Sequence, residues 1–367
     1  MHAAGMGFPN TAKEGRMNFL TLTCRRLAAM LVGLIAVLVV AAPGAFAQPL
    51  RKITVALGGD GLQISAIHIA VGAGYFKEEG LEVEFVDVNS GPRQVAALMG
   101  GSALFAPLGM IHAIKISAEG GSLVAAANLF SVMDLHVVLS KAAIAKTGIT
   151  RAMPLDEKVR RMKGLRIGIT SPGSTTDTMA RTLFKARGMD PDQTVQLQPL
   201  GGGTNMLAAL EKGLTDGFVW SAPQPQVAVQ KGLGEIIIDP FERDVPEMVD
   251  VPYEVMMINR ATAKENEDLI RRSLRAMTKG MKCTQGHPEE TLKMMQARFP
   301  NYEQDVLRVA WKRYIEAVPK TPVISTGMFD QSARWLNITA KTPYRVKFEE
   351  AVTNTIAAQV AKEILGQ

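Results

Sequence analysis

The sequence predicts an α/β protein: two similar three-layer αβα domains joined by a two-stranded hinge, with a helical C-terminal tail. Three observations carry this reading. Between Ile53 and Ile238, short apolar runs alternate with segments of helical period, the pattern of βαβ units around a mostly parallel sheet. That plan occurs twice. At a single offset of 112 residues, Gly91, Ala96, Ala97, Leu98, Gly101 and Gly120 fall on Gly203, Ala208, Ala209, Leu210, Gly213 and Gly232. Beyond Ile258 only helical patterns follow.

In the first half, Ile53, Val55 and Leu57 alternate as a strand, and the loop Gly58-Gly59-Asp60-Gly61 follows. Ile64 to Ala73 reads as an apolar helix and Leu81 to Val88 as a second strand. Arg93 to Met99 is a short helix ended by Gly100-Gly101. Leu104 to Leu108 and Leu123 to Leu129 are strands flanking a helix from Met110 to Glu119. Open α/β sheets bind ligands beyond the carboxyl ends of their strands. Here those ends are Gly58 to Ser65, Pro107 to Met110 and Phe130 to Met133.

The second half repeats the plan around residues 163–184, KGLRIGITSPGSTTDTMARTLF. The apolar run Leu165 to Ile169 breaks at Thr170-Ser171-Pro172-Gly173. A helix follows, with Met179, Leu183 and Phe184 on one face. Ser171 and Ser174 both suit an N-cap, and Asp177 stands three residues after Ser174. A helix start exposes unpaired N–H groups and partial positive charge, so it can hold an acceptor-rich ligand; an ordinary βα turn has the same sequence. The other carboxyl-end loops are Leu200 to Thr204 and Trp220 to Pro223. The triple glycine 201–203 lacks the Gly-Lys-Ser/Thr of a phosphate loop and the spaced glycines of a dinucleotide fingerprint.

Tyr253 to Ile258 resembles His136 to Leu139 in length and polarity. Both lie where the chain would cross between domains, and they are expected to form the hinge. The tail helices Ala263 to Cys283, Pro288 to Arg298, Tyr302 to Ala317, Thr326 to Leu336 and Lys347 to Ala361 are expected to pack on the first domain. The domains are therefore expected at 48–138 plus 254–367, and at 139–253.

Residues 1–47 read as a leader. Arg25 and Arg26 precede a 14-residue uncharged run, Leu27 to Val40, and Ala45-Phe46-Ala47 supplies small residues for cleavage before Gln48. Met17 is a second candidate start. This predicts export to the periplasm and no membrane insertion after cleavage. The formal charge of +6 falls to +3 once the leader's four basic residues and one acid are set aside. No Lys/Arg run interleaves with aromatics, so nucleic acid is not an expected partner. Only Cys283 lies beyond the leader, and His68, His112, His136 and His287 are scattered. Neither a metal site nor a cofactor is expected, nor a catalytic residue, since the chain lacks HExxH and GxSxG.

Four segments carry a family resemblance: GAGYFKEEGLEVEF (72–85), QVAALMGG (94–101), MKGLRIGITSPGST (162–175) and MLAALEKGLTDGFVWSAPQP (206–225). In this order and spacing, they are similar to the nitrate/sulfonate/taurine-type solute-binding proteins of ABC importers. Those have the type II periplasmic binding protein fold and include binders of thiamine-pyrimidine precursors. The resemblance spans roughly residues 50–360. One departure is that Ser102-Ala103-Leu104 lacks an acid often found near the start of the family's third strand, whereas Asp216 keeps it in the second domain.

The resemblance implies a monomeric receptor without chemistry of its own. It would capture a small solute between its domains and deliver it to a membrane permease. A secreted sensing module of the same fold is an alternative. So is a pyrimidine-precursor enzyme, although the cysteine-rich segment of that relative is absent. Together with the strand-end loops, the resemblance selects Asp60, Gln63, Ser65, Leu108, Gly109 and Phe130 from one domain. Ser171, Ser174, Thr175, Thr176, Trp220 and Ser221 come from the other. Core packing and a place in the cleft are equally open to Trp220. Hydroxyls without an arginine clamp favour a neutral, zwitterionic or singly anionic solute.

Overall fold

The computed structural model describes residues 49–367, so the expected leader lies outside the described residues. Among the described residues, no helix is long and apolar enough to cross a membrane.

Ten strands form two arrays of matching order. β1 (Arg51–Leu57) pairs in parallel with β2 (Leu81–Asp87). β10 (Glu254–Asn259) lies antiparallel between β3 (Ala106–Leu108) and β4 (Leu123–Phe130). A parallel bridge between Val55 and Phe105 joins these pieces, giving the order β2-β1-β3-β10-β4. The second array is continuous. It runs β7 (Gln196–Pro199), β6 (Arg166–Ile169), β8 (Gly217–Trp220), β5 (His136–Ser140), β9 (Gly234–Ile238), with β5 antiparallel to both neighbours. Position by position, the two orders correspond.

The internal repeat holds in the backbone. Helices Gly91–Met99 and Gly203–Glu211 both begin on the paired glycines. The stops Gly101 and Gly213 have φ of 70° and 66°, a left-handed conformation that glycine adopts without a Cβ clash.

The expected two-stranded hinge is not a ribbon. The strands at the two crossings, β5 and β10, lie in different arrays, each as the single antiparallel strand. Both are almost wholly buried, so each needs sheet partners on both edges. The crossings themselves are residues 131–135 and 239–253, where Asp134 and Asp239 flank His136 at 3.4 and 3.3 Å.

The tail also differs from expectation. Taking each strand array with the helices packed on it as a lobe, helix Glu267–Gly286 packs on helix Ser65–Gly72 of the first, as its buried stripe of Ile270, Leu274, Met277 and Met281 requires. Two other tail helices reach the second lobe. Helix Gln304–Tyr314 packs on Gln224–Gln230, and helix Thr326–Thr339 packs on Thr175–Lys185. There Trp335 Nε1 donates to Thr182 Oγ1 at 3.0 Å. The last expected helix is two, Phe348–Ala351 and Thr355–Leu365, because Val352 leaves the helix to bridge Ala125 of β4.

Candidate functional site

The carboxyl ends of β1 and β3 face those of β6 and β8 across a chamber of about 40 Å3. Gln63, Leu108 and Gly109 line it from the first lobe; Ser174, Thr175, Thr176 and Trp220 line it from the second. Seven of the twelve expected residues therefore meet.

The hydroxyls at the helix start are largely engaged with one another. Ser174 is the N-cap: its Oγ accepts from Asp177 N, and the Asp177 carboxylate accepts from Gly173 N at 2.8 Å. Thr176 Oγ1 accepts from Thr170 N at 2.9 Å and lies 2.9 Å from Ser174 Oγ. This mesh fixes the turn. Thr175 differs, with its Oγ1 facing His112 Nε2 across the lobes at 3.5 Å. Burial pushes His112 down to about 3, helped by the Lys115 charge, so the ring is neutral near pH 7. Helix geometry leaves the N–H groups of Thr175 and Thr176 without intrahelical partners, and both residues line the chamber. That wall favours a ligand acceptor.

Trp220 closes another wall. It is 4% exposed, packs with Val138, Met206, Leu210 and Phe218, and donates from Nε1 to Gln224 Oε1 at 3.1 Å. Core and cleft are thus both true of it. Only glycine fits where it touches the loops: a Cβ on Gly59 or Gly203 would lie 2.5 or 2.2 Å from the indole.

Glu254, at the head of β10, also lines the chamber and was not among the expected residues. It is 8% exposed, and its Oε2 has no hydrogen-bond partner. Burial drives its carboxyl well above the ordinary range, and the Asp134 charge adds to this. Its only sequence signal is a lone acid opening the apolar run 255–258. Gln94 was also passed over as a site residue. Its Nε2 donates to Ala56 O at 3.0 Å and Pro107 O at 2.6 Å, tying β1 to β3 at the chamber edge.

Asp60 lies elsewhere, in an outer recess of about 260 Å3 that also includes Arg298 and Tyr302. Its carboxylate pairs with His68 Nε2 at 2.6 Å and with Arg298. Burial alone would raise the Asp60 carboxyl; the His68 hydrogen bond and the two neighbouring charges outweigh it and hold the group below its usual value. Four further expected residues are not in the chamber wall either. Ser65 is fully buried in the first turn of its helix, and Ser221 is fully buried one residue past β8. Ser171 has a buried Oγ behind the turn. Phe130 packs instead against Tyr314 and Phe241 in tilted contacts, with ring centroids 5.4 and 6.2 Å away. A strand-end position gives the loop but not the direction of a side chain, and these four point into the protein.

Solved structures share this architecture. A protein of Bordetella bronchiseptica RB50 superposes with a TM-score of 0.75 at 23% identity, covering 85% of this chain and 98% of that one. The periplasmic nitrate-binding protein NrtA of Synechocystis PCC 6803 gives 0.63 at 14% identity, with coverage of 86% and 89%. The periplasmic aliphatic sulphonate-binding protein SsuA of Escherichia coli gives 0.57 at 14%, with 78% and 91%. The fold is thus that of the periplasmic binding proteins. In sequence, YtlA of Bacillus subtilis (strain 168) is 20% identical over 323 residues, 86% of this chain and 92% of its own. The formylaminopyrimidine-binding protein of Halalkalibacterium halodurans is 26% identical over 244 residues, 64% of this chain and 68% of its own. The NMT1-like family matches residues 53–299, from the middle of β1 through the chamber walls to the helix that carries Arg298, and the chain belongs to that family.

Proposed function

We propose that this protein is the solute-capturing receptor of an ABC importer. It acts in the periplasm as a monomer, after a leader ending at residue 47 is removed. The observation that carries the reading is the chamber, walled by strand ends of both lobes and lined by polar side chains from each. The moving bodies are 48–138 plus 254–367 and 139–253, turning about the crossings beside Asp134 and Asp239. The chamber is small with the lobes as they stand, about 40 Å3, so the solute enters as the lobes part. The closed, loaded form docks on a membrane permease, and the protein itself performs no chemistry.

Ligand that binds only the folded protein raises its melting temperature by mass action. Screening the purified protein against sulfonates, nitrate, aromatic carboxylates, pyrimidines and small amines should yield at least one saturable shift. If no solute shifts melting and one of them is turned over instead, the receptor reading is wrong.

A further inference from the structure

We propose that Glu254 selects the solute: the chamber takes a small molecule that presents an ammonium or amidinium nitrogen to the Glu254 carboxyl and an acceptor toward the start of helix Thr175–Lys185. This rests on the receptor reading and narrows it.

Three observations support it. Glu254 Oε2 is buried, lines the chamber and lacks a partner. An unmatched buried carboxyl oxygen costs free energy until a donor reaches it, so a ligand donor gains more here than at a satisfied group. Second, no Lys or Arg is among the described residues lining the chamber. Two cations outside its wall have partners of their own: Arg298 pairs with Asp60 in the outer recess, and Lys115 donates to Gly173 O at 3.4 Å. His112 is neutral. An oxyanion would therefore meet the helix start with no cationic side chain in the wall. Third, the walls are of opposite preference. The helix start attracts an acceptor, while the carboxyl attracts a donor.

Burial and the Asp134 charge both shift the Glu254 carboxyl toward its protonated form, and a docked cation shifts it back toward the ionised one. When a cationic nitrogen docks, the carboxyl gives its proton to the buffer and the ligand keeps its own. Binding and proton release are then one event.

The test is calorimetric titration of acetamidinium and methylammonium into the wild-type protein near neutral pH, in two buffers of different ionisation enthalpy. Nitrate and methanesulfonate are the comparison. At least one cation should bind, with a buffer-dependent heat that reports proton release, and Glu254→Gln should weaken it about tenfold or more. The release measurement needs no variant, so a misfolded Glu254→Gln protein does not spare the inference. The inference falls if neither cation binds, if binding releases no proton, or if Glu254→Gln binds as wild type does. Nitrate or methanesulfonate binding in place of the cations would also overturn it while leaving the receptor reading intact. Only silence across the whole solute screen, with turnover in its place, removes both.

Discussion

The indole of Trp220 lies so close to Gly203 that a Cβ there would sit 2.2 Å from Nε1. Gly203 begins a helix with its backbone in the ordinary range, so the demand on it is space and not a special φ. Gly203→Ala therefore keeps its helix and displaces the indole. The expected cost is about 1–3 kcal/mol, typical of overpacking a fitted site. Ligand affinity should fall as well, because the moved ring enters the chamber. Chemical denaturation and titration with the solute found by screening check both. Unchanged affinity would mean that Trp220 does not border the bound solute.

Trp220→Ala tests the two roles of that residue. A cleft residue that only touched ligand would cost little stability. Trp220 is 4% exposed and packs among five buried apolar side chains, so truncation should cost about 3–5 kcal/mol. It also leaves Gln224 Oε1 without the indole N–H. Trp220→Phe keeps most of the packing and loses the donor. It should stay near wild-type stability, which makes it the better probe of binding. Equal destabilisation by both changes would show that the hydrogen bond and not the packing matters.

The sequence was most legible where a periodic pattern had a single outcome. Alternating runs gave the strands, and the offset of 112 foretold the shared strand order and the paired left-handed Gly101 and Gly213. The strand-end rule led to loops whose residues line the chamber, and Ser174 is the cap that its spacing to Asp177 implied. What failed was direction and long-range pairing. Phe130 and Ser221 lie at the chosen strand ends, yet their side chains turn inward. β5 and β10 are alike in sequence, which suggests a shared hinge, but their likeness reflects equivalent places in separate sheets. Glu254 stayed hidden because one acid beside an apolar run looks the same whether it faces solvent or a chamber.

Ser174→Ala removes the cap and part of the hydroxyl mesh. The cap alone is worth about 0.5–2 kcal/mol. Ser174 Oγ also contacts Thr170 Oγ1 at 3.1 Å and Thr176 Oγ1 at 2.9 Å, so the loss should lie at the upper end of that range. Asp177 keeps its bond to Gly173 N, which holds the turn. Binding should weaken less than stability does, since the N–H groups of Thr175 and Thr176 remain. A binding defect that exceeds the stability loss would place the Ser174 hydroxyl itself on the solute.

The crossing cluster predicts a pH dependence. Burial lifts the Asp134 carboxyl from 3.8 to about 7; the His136 charge and the Tyr314 hydroxyl oppose this, and Asp239 adds to it. A folded-state value above the unfolded one means the folded protein holds a proton that the unfolded chain has released. Asp134's contribution to stability is therefore full below about pH 4 and is lost as pH rises toward 7. Asp239 runs the other way: burial would raise it, but His136 and Arg313 hold it well below its ordinary value, so its contribution is lost only in strong acid. Asp134→Asn keeps an oxygen for the Tyr314 hydroxyl and removes the titration. Urea denaturation at several pH values should show the variant gaining on wild type between about pH 4 and 7, by on the order of a few kcal/mol. A difference that stays flat across that range would mean that Asp134 is ionised throughout, paired with a protonated His136.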